Sequence, residues 1–209
     1  MRCVIVGAAE IKNYKKIKEF LNPDDFYIFC DGGLNHQKEL GVIPNLIIGD
    51  FDSYDFSTVN FTAETIRLPC EKDDTDVFFA VKTALSRGYK DFILLGVIGQ
   101  RFDHSLCNIS VLMYLRNAHA TGLIIDDYST MQIIGNTDEP VPVPSSYSYF
   151  SIMCIDGAIS GVTIKNAKYP LENAKIDTSY QFGISNEVSG NEPALVTIKN
   201  GLALLIGVF

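Results

Sequence analysis

The sequence predicts an α/β protein: a mostly parallel sheet with flanking helices, followed by an all-β, sandwich-like domain. Three observations predict it. Short, fully apolar runs alternate with helix-period segments as far as about Ile125, which is the signature of βα units and a parallel sheet. From about Met131 no long helical period recurs, and short β-rich runs replace it. Each apolar run of the first part ends in Gly or Asp, where an α/β sheet places its ligands. The change of pattern puts a boundary near Asp127–Ser129 and predicts two domains, residues 1–127, α/β, and 128–209, all-β and sandwich-like.

Cys3–Val6 reads as a buried strand that ends at Gly7. Ile11, Tyr14, Ile17 and Leu21 recur at helical spacing among lysines, and Asn22-Pro23 stops that helix. Phe26–Cys30 is a second strand, running into Asp31-Gly32-Gly33. Leu34–Leu40 follows as a short helix with Gly41 as its C-terminal cap. Leu46–Ile48 is a third strand and leads into GDFDS at Gly49–Ser53. Thr65–Leu68 is strand-like. A helix begins near Asp74 or Thr75, carries Val77, Ala80, Val81, Ala84 and Leu85 inward, and stops at Gly88. Asp and Thr suit its start because they cap free N–H groups and oppose the helix dipole. Phe92–Leu95 is a strand, Gly96–His104 a loop, and a helix follows through Leu106, Ile109, Met113 and Arg116. Leu123–Ile125 closes the α/β pattern. The β-rich runs are Met131–Ile134, Tyr147–Ile155, Val162–Lys165, Leu195–Lys199 and Leu202–Val208. Asn200-Gly201 between the last two is a strong hairpin signal. A sandwich or a partly open barrel would accommodate these runs.

Composition narrows the function. The chain has 209 residues, 47% hydrophobic and 20% charged, the balance of an ordinary globular protein with a sizeable core. A net charge of −8 argues against a nucleic-acid binder, which needs a basic stripe. No apolar run reaches the roughly 18 residues of a membrane span, and the N-terminus lacks a signal-peptide layout. A cytoplasmic protein is expected. The five cysteines are scattered singly with no CxxC pair, so they read as packing residues in a reduced compartment. His36 and His119 have no partner pattern and read as surface residues.

The chemistry concentrates in two acidic clusters, GDFDS and EKDDTD at Glu71–Asp76. Asp50 and Asp52 are two residues apart past a strand, so they point the same way and can grip one cation. The same pattern serves as a plain turn, and it also occurs in nucleotide-sugar transferases and haloacid-dehalogenase-like phosphatases. Clustered carboxylates need neutralising, and hard oxygen ligands suit Mg²⁺ or Mn²⁺. Lys72 can meet a phosphate as a point charge. Asp31-Gly32-Gly33 is either an ordinary turn or a place where backbone approaches a ligand. In the loop, Arg101 can fork onto phosphate oxygens, while Asp103 and His104 either take part in catalysis or cap the helix.

Taken together, DGG at Asp31, GDFDS, KDDTD at Lys72, GxxGxRxDH ending at His104, GVTIKNAKYPLEN at Gly161–Asn173 and GISNE at Gly183–Glu187 resemble the thiamine pyrophosphokinase (thiamine diphosphokinase) family along nearly the whole chain. The resemblance implies an enzyme that transfers the pyrophosphoryl group of ATP to the hydroxyl of thiamine, giving thiamine diphosphate and AMP. It implies an α/β nucleotide-binding domain, a β-sandwich domain, and a homodimer with thiamine between subunits. By position it assigns Asp50, Asp52, Asp73 and Asp76 to Mg²⁺ and, with Arg101 and Asp103, to catalysis. Asp31, Gly32, Gly33, Lys72, Thr75, Arg101 and His104 fall on the ATP side, and Gln100, Ser185 and Asn186 on the thiamine side. Asp74 occupies the variable position of KDxTD and receives no ligand role. Two departures stand out. Gln100 replaces a second glycine of the family's loop, and the chain has no Trp, leaving a Tyr or Phe such as Phe182 to stack on thiamine.

Overall fold

The computed structural model describes residues 1–50, 63–69 and 73–209. Asp52 and Lys72 lie outside the described residues. The chain divides into two units, Met1–Asp127 and Tyr128–Phe209.

The first unit is an α/β sheet with few helices. Its strands are β1 (Cys3–Val6), β2 (Phe26–Cys30), β3 (Leu46–Gly49), β4 (Glu64–Arg67), β5 (Asp91–Leu95) and β6 (Thr121–Ile125). They lie in the order β4-β3-β2-β1-β5-β6, and every pairing is parallel. The apolar runs are continuous because both faces are covered: Cys3–Val6, Leu46–Ile48 and Phe92–Leu95 are buried throughout. The chain proceeds from β1 toward β2 on one side and reaches β5 on the other. That reversal makes the carboxyl ends of β1 and β5 a topological switch point, where open α/β sheets form a crevice.

The helices are α1 (Tyr14–Lys18), α2 (Gln37–Leu40), α3 (Asp76–Ser86) and α4 (Phe102–Asn117). α3 packs on β1, β2 and β3, and α4 on β6. α1 is shorter than its apolar period predicts. The Asn13 side chain caps it by accepting from Lys16 N–H at 3.1 Å, and beyond Lys18 the turns tighten to i→i+3 bonds such as Leu21 N–H to Lys18 O. Asp31–His36 forms a 3₁₀ helix before α2, so the predicted Leu34–Leu40 helix is a composite; Gly41 does take the left-handed cap conformation. Thr75 caps α3, its hydroxyl accepting from Phe78 N–H at 3.2 Å.

α4 turns a different face inward from the one its hydrophobic residues suggest. Ser105, Asn108, Val111, Leu112 and Leu115 are buried, while Leu106 is exposed. The polar members of that buried face, Ser105 and Asn108, hydrogen-bond to the preceding loop. Two side-chain expectations are also corrected. His36 is buried, because both ring nitrogens find partners. Cys107 is exposed, whereas Cys3, Cys30 and Cys154 are buried; burial pushes the Cys3 thiol up to about 12.

The second unit holds β7 (Ser129–Val143), β8 (Tyr149–Cys154), β9 (Ile159–Lys165), β10 (Leu171–Ile176) and β11 (Ala194–Val208). All its strand pairings are antiparallel. Asn200-Gly201 is not a hairpin turn: β11 runs straight through it. Gly201 has φ +89° and faces Gly135 of β7 at φ +128°, and Gly201 N–H donates to Asn136 Oδ1 at 2.8 Å. The register shifts once between Val196 and Ile198 and again between Ile198 and Leu202, across this point, as a β-bulge does. The first half of β11 then pairs with β9 and the second half with β8. Phe150, Ile152, Val162, Ile164, Val196 and Ile198 lie in the core that the bent strands enclose.

Candidate active site

At the switch point the backbones of two loops touch. A Cβ on Gly7 would lie 2.6 Å from Gly96 O, and one on Gly96 would lie 2.5 Å from Gly7 O. Ala9 N–H donates to Gly96 O at 2.8 Å. Only glycine permits this approach, and the loop that Gly96 opens leads into α4, whose N-terminus favours anions. The contribution of Gly7–Ala9 was not legible as a motif, since Gly7 reads simply as a strand end.

The Gly96–His104 loop is held from beneath by the two polar residues on the buried face of α4. Ser105 Oγ accepts from Gly99 N–H at 3.1 Å and lies 3.2 Å from both Gly99 O and Arg101 O. Asn108 Nδ2 donates to Val97 O at 2.8 Å. Polar residues at i and i+3 on a core-facing stripe were the available signal. Above this support the loop's charges face solvent. Arg101 Nη2 is 2.7 Å from Asp103 Oδ2, both side chains well exposed. The Arg101 guanidinium, helped by His104 N–H, holds the Asp103 carboxyl below its ordinary pKa. Gln100 and His104 are exposed on the same loop.

Asp31 stands at the end of β2 with φ +40°, and its Oδ1 is shielded from solvent. Gly33 and Gly49 allow it to sit there: a Cβ on Gly33 would lie 2.3 Å from Val6 O, and one on Gly49 would lie 3.1 Å from Asp31 Cβ. Gly32 is flanked by Ala8 in the same way, at 3.2 Å. Asp31 is therefore brought against Gly49, the residue before Asp50. Asp73 precedes α3, and Asp76 occupies its first turn with Oδ1 shielded. Asp74 forms an ion pair with Lys82. Among the described residues no group of three or more His, Cys, Asp or Glu side chains is gathered as a metal would require. The expected ligands that are described, Asp50, Asp73 and Asp76, carry hard carboxylate oxygens, the donor type that suits Mg²⁺ or Mn²⁺.

In the second unit Asn186 is 4% exposed, and its amide is fully engaged. Oδ1 accepts from Tyr169 N–H at 3.0 Å and Glu187 N–H at 2.9 Å, while Nδ2 donates to Tyr169 O at 2.8 Å. It pins GISNE to the NAKYPLEN segment. Lys168 Nζ lies 2.7 Å from Glu187 Oε1 and 5.6 Å from the Tyr169 ring centroid. Ser185 is exposed, with φ +55°, and its N–H donates to Ser151 Oγ at 3.1 Å. Phe182 is exposed and its ring centroid is 5.6 Å from that of Tyr180. Tyr169 is more exposed than Phe182 and, unlike it, has both backbone polar groups fixed by one side chain.

Comparison with known proteins finds two consecutive family matches. Residues 17–124 match the model described as thiamin pyrophosphokinase, catalytic domain. Residues 139–203 match thiamin pyrophosphokinase, vitamin B1 binding domain. Among individual proteins, the chain is 28% identical over 193 residues to thiamine pyrophosphokinase of Bacillus subtilis, covering 90% of each chain. It is 22% identical over 217 residues to thiamin pyrophosphokinase 1 of Caenorhabditis elegans, covering 99% of this chain and 88% of that one. The crystal structure of the Bacillus subtilis protein superposes with a TM-score of 0.87 at 23% identity, covering 100% and 99% of the two chains. This structural likeness speaks to the fold.

Proposed function

The chain belongs to the thiamin pyrophosphokinase family, an enzyme that transfers the pyrophosphoryl group of ATP to thiamine, and we propose that its parallel-sheet unit binds ATP at the β1/β5 switch point while its β-rich unit binds thiamine. The observation that carries this reading is the succession of a catalytic-domain match and a vitamin B1-binding match, the first falling on a sheet with a glycine-lined switch point.

In this reading Asp50, Asp52, Asp73 and Asp76 hold Mg²⁺, or Mn²⁺ in its place, together with the triphosphate. Mg²⁺ bound there would offset the charge of carboxylates and phosphates and orient the chain of phosphates for in-line displacement. Asp31, Gly32 and Gly33 line the nucleotide side. Thr75 shapes the phosphate site through its cap on α3. Lys72 and Arg101 receive phosphate oxygens. The pair Arg101–Asp103 is solvent-exposed, and exposed ion pairs are weak, so a triphosphate competes well for the guanidinium. Asp103 and His104 keep the loop in shape at the start of α4.

Thiamine meets Gln100, Ser185 and the ring of Tyr169, with Asn186 acting through its hold on the Tyr169 backbone. The thiamine hydroxyl attacks the β-phosphorus in line with the departing AMP oxygen, and a carboxylate of the acidic cluster takes its proton. Positioning and electrostatic stabilisation supply most of the acceleration. We place the enzyme in the cytoplasm as a homodimer with a sandwich-like second domain. No helix among the described residues is long and apolar enough to cross a membrane. The test is a mixture of protein, Mg²⁺, ATP and thiamine, assayed for AMP and thiamine diphosphate, with thiamine omitted as the control. AMP that appears only with thiamine supports the reading. Phosphate release without thiamine diphosphate overturns it.

A further inference from the structure

We propose that His36 is a positioning residue for the nucleotide half of the reaction, tying the Asp31–His36 segment to the Gly7–Ala9 loop and, through Ala9, to the Gly96–His104 loop. This rests on the reading that ATP binds at the β1/β5 switch point.

His36 Nε2 lies 3.0 Å from Ala9 O, and Nδ1 lies 2.8 Å from Tyr14 Oη. A carbonyl oxygen only accepts, so Nε2 carries the proton and donates it to Ala9. Nδ1 then accepts from the Tyr14 hydroxyl. The two partners set both the tautomer and the ring's direction. The next link is backbone: Ala9 N–H donates to Gly96 O at 2.8 Å. Gly99 presses on the same residue, where a Cβ would come within 2.9 Å of Ala9 Cβ. The position of Ala9 therefore determines where the floor of the phosphate-facing loop sits.

A second observation points the same way. Asp31, at the other end of the 3₁₀ segment, has φ +40°. Such a conformation is strained in a residue other than glycine and persists only when its surroundings over-determine it. The close approach of Gly49 holds one end of the segment, and His36 holds the other. An apolar side chain would fill the same space but would not fix the direction of the Ala9 carbonyl.

The test varies ATP and thiamine separately for three variants. His36→Leu removes both hydrogen bonds at similar volume. His36→Gln keeps a donor near the position of Nε2. Arg101→Ala reports whether ATP uses this edge at all. We expect His36→Leu to raise KM for ATP about tenfold, the size of one buried hydrogen bond, while KM for thiamine stays within about twofold. His36→Gln should recover most of that loss, and Arg101→Ala should also raise KM for ATP. A lower melting temperature in His36→Leu with KM for ATP unchanged, or an equal rise for both substrates, makes His36 merely structural and overturns the inference. If neither His36→Leu nor Arg101→Ala moves KM for ATP, the ATP reading itself fails and takes the inference with it. Should His36→Leu not fold, Tyr14→Phe removes only the bond to Nδ1. It is expected to raise KM for ATP about threefold, and no change would overturn the proposal.

Discussion

The two units solve the same problem, holding an irregular segment still, by different means. In the first unit the segments are loops at the ends of parallel strands, and Ala9 N–H and Ser105 of α4 hold the Gly96–His104 loop. Asn108, 5% exposed, adds its bond to Val97 O. In the second unit GISNE belongs to no strand. The β-bridge from Phe150 to Asn186, backbone bonds from Ile152 N–H to Gly183 O and Lys168 N–H to Glu187 O, the Ser151 hydroxyl and the amide of Asn186 hold it. The difference teaches where each unit is vulnerable. Charge is concentrated at the exposed edge of the first, and in the second the tie between GISNE and Tyr169 rests on one side chain, Asn186.

The largest expected effect breaks this comparison on the chemical side. Asp73→Asn should lower kcat by roughly a hundredfold or more, the scale of losing one electrostatic contact to a transition state, without lowering the melting temperature. Near-normal turnover at ordinary Mg²⁺ would remove Asp73 from the site. The next effect lies in the second unit. Asn186→Ala leaves Tyr169 N–H and Tyr169 O without their partner and should cost about 2–3 kcal/mol of stability in denaturant titration, against about 1–2 kcal/mol for Asn108→Ala. Asn108→Ala should also raise KM for ATP. An equal cost for the two amides would erase the contrast drawn here.

The smallest effect is on pH. Burial lowers the His36 pKa, against weaker opposing contributions from the Ala9 carbonyl and Asp127. Tyr14, which contacts the ring, has Glu39, Asp127 and Glu10 near it. The folded state thus favours neutral imidazole. Its stabilising contribution is complete above the ordinary imidazole pKa of about 6.5 and is lost as pH falls toward the depressed folded value. Wild type should lose more stability than His36→Gln between pH 7 and pH 5. Parallel curves for the two would show that His36 does not titrate in this way.

Much of this protein was legible in its sequence because local rules sufficed. The continuous apolar runs at Cys3–Val6, Phe26–Cys30 and Phe92–Leu95 are too short for helices and alternate with helix-period segments, so they read as strands covered on both faces. Thr75 and Gly41 mark helix ends by chemistry that acts within one turn. The order of DGG, GDFDS, KDDTD and the Arg101 loop carried the family.

Tertiary structure decided what depends on a distant partner. Asn200-Gly201 is a sound hairpin signal, yet Gly135 and Asn136, some 65 residues away, turn it into a bulge in a continuous strand. The hydrophobic residues Leu106, Ile109 and Met113 suggest one face of α4, yet the buried one includes Ser105 and Asn108, whose side chains meet an N–H and carbonyls of the preceding loop. His36 looks like a surface residue until Tyr14 and Ala9 meet its two nitrogens. The physical reason is common to all three cases. A polar group's place is set by whether its hydrogen bonds can be satisfied, and in this chain the satisfying atoms come from other turns of the fold.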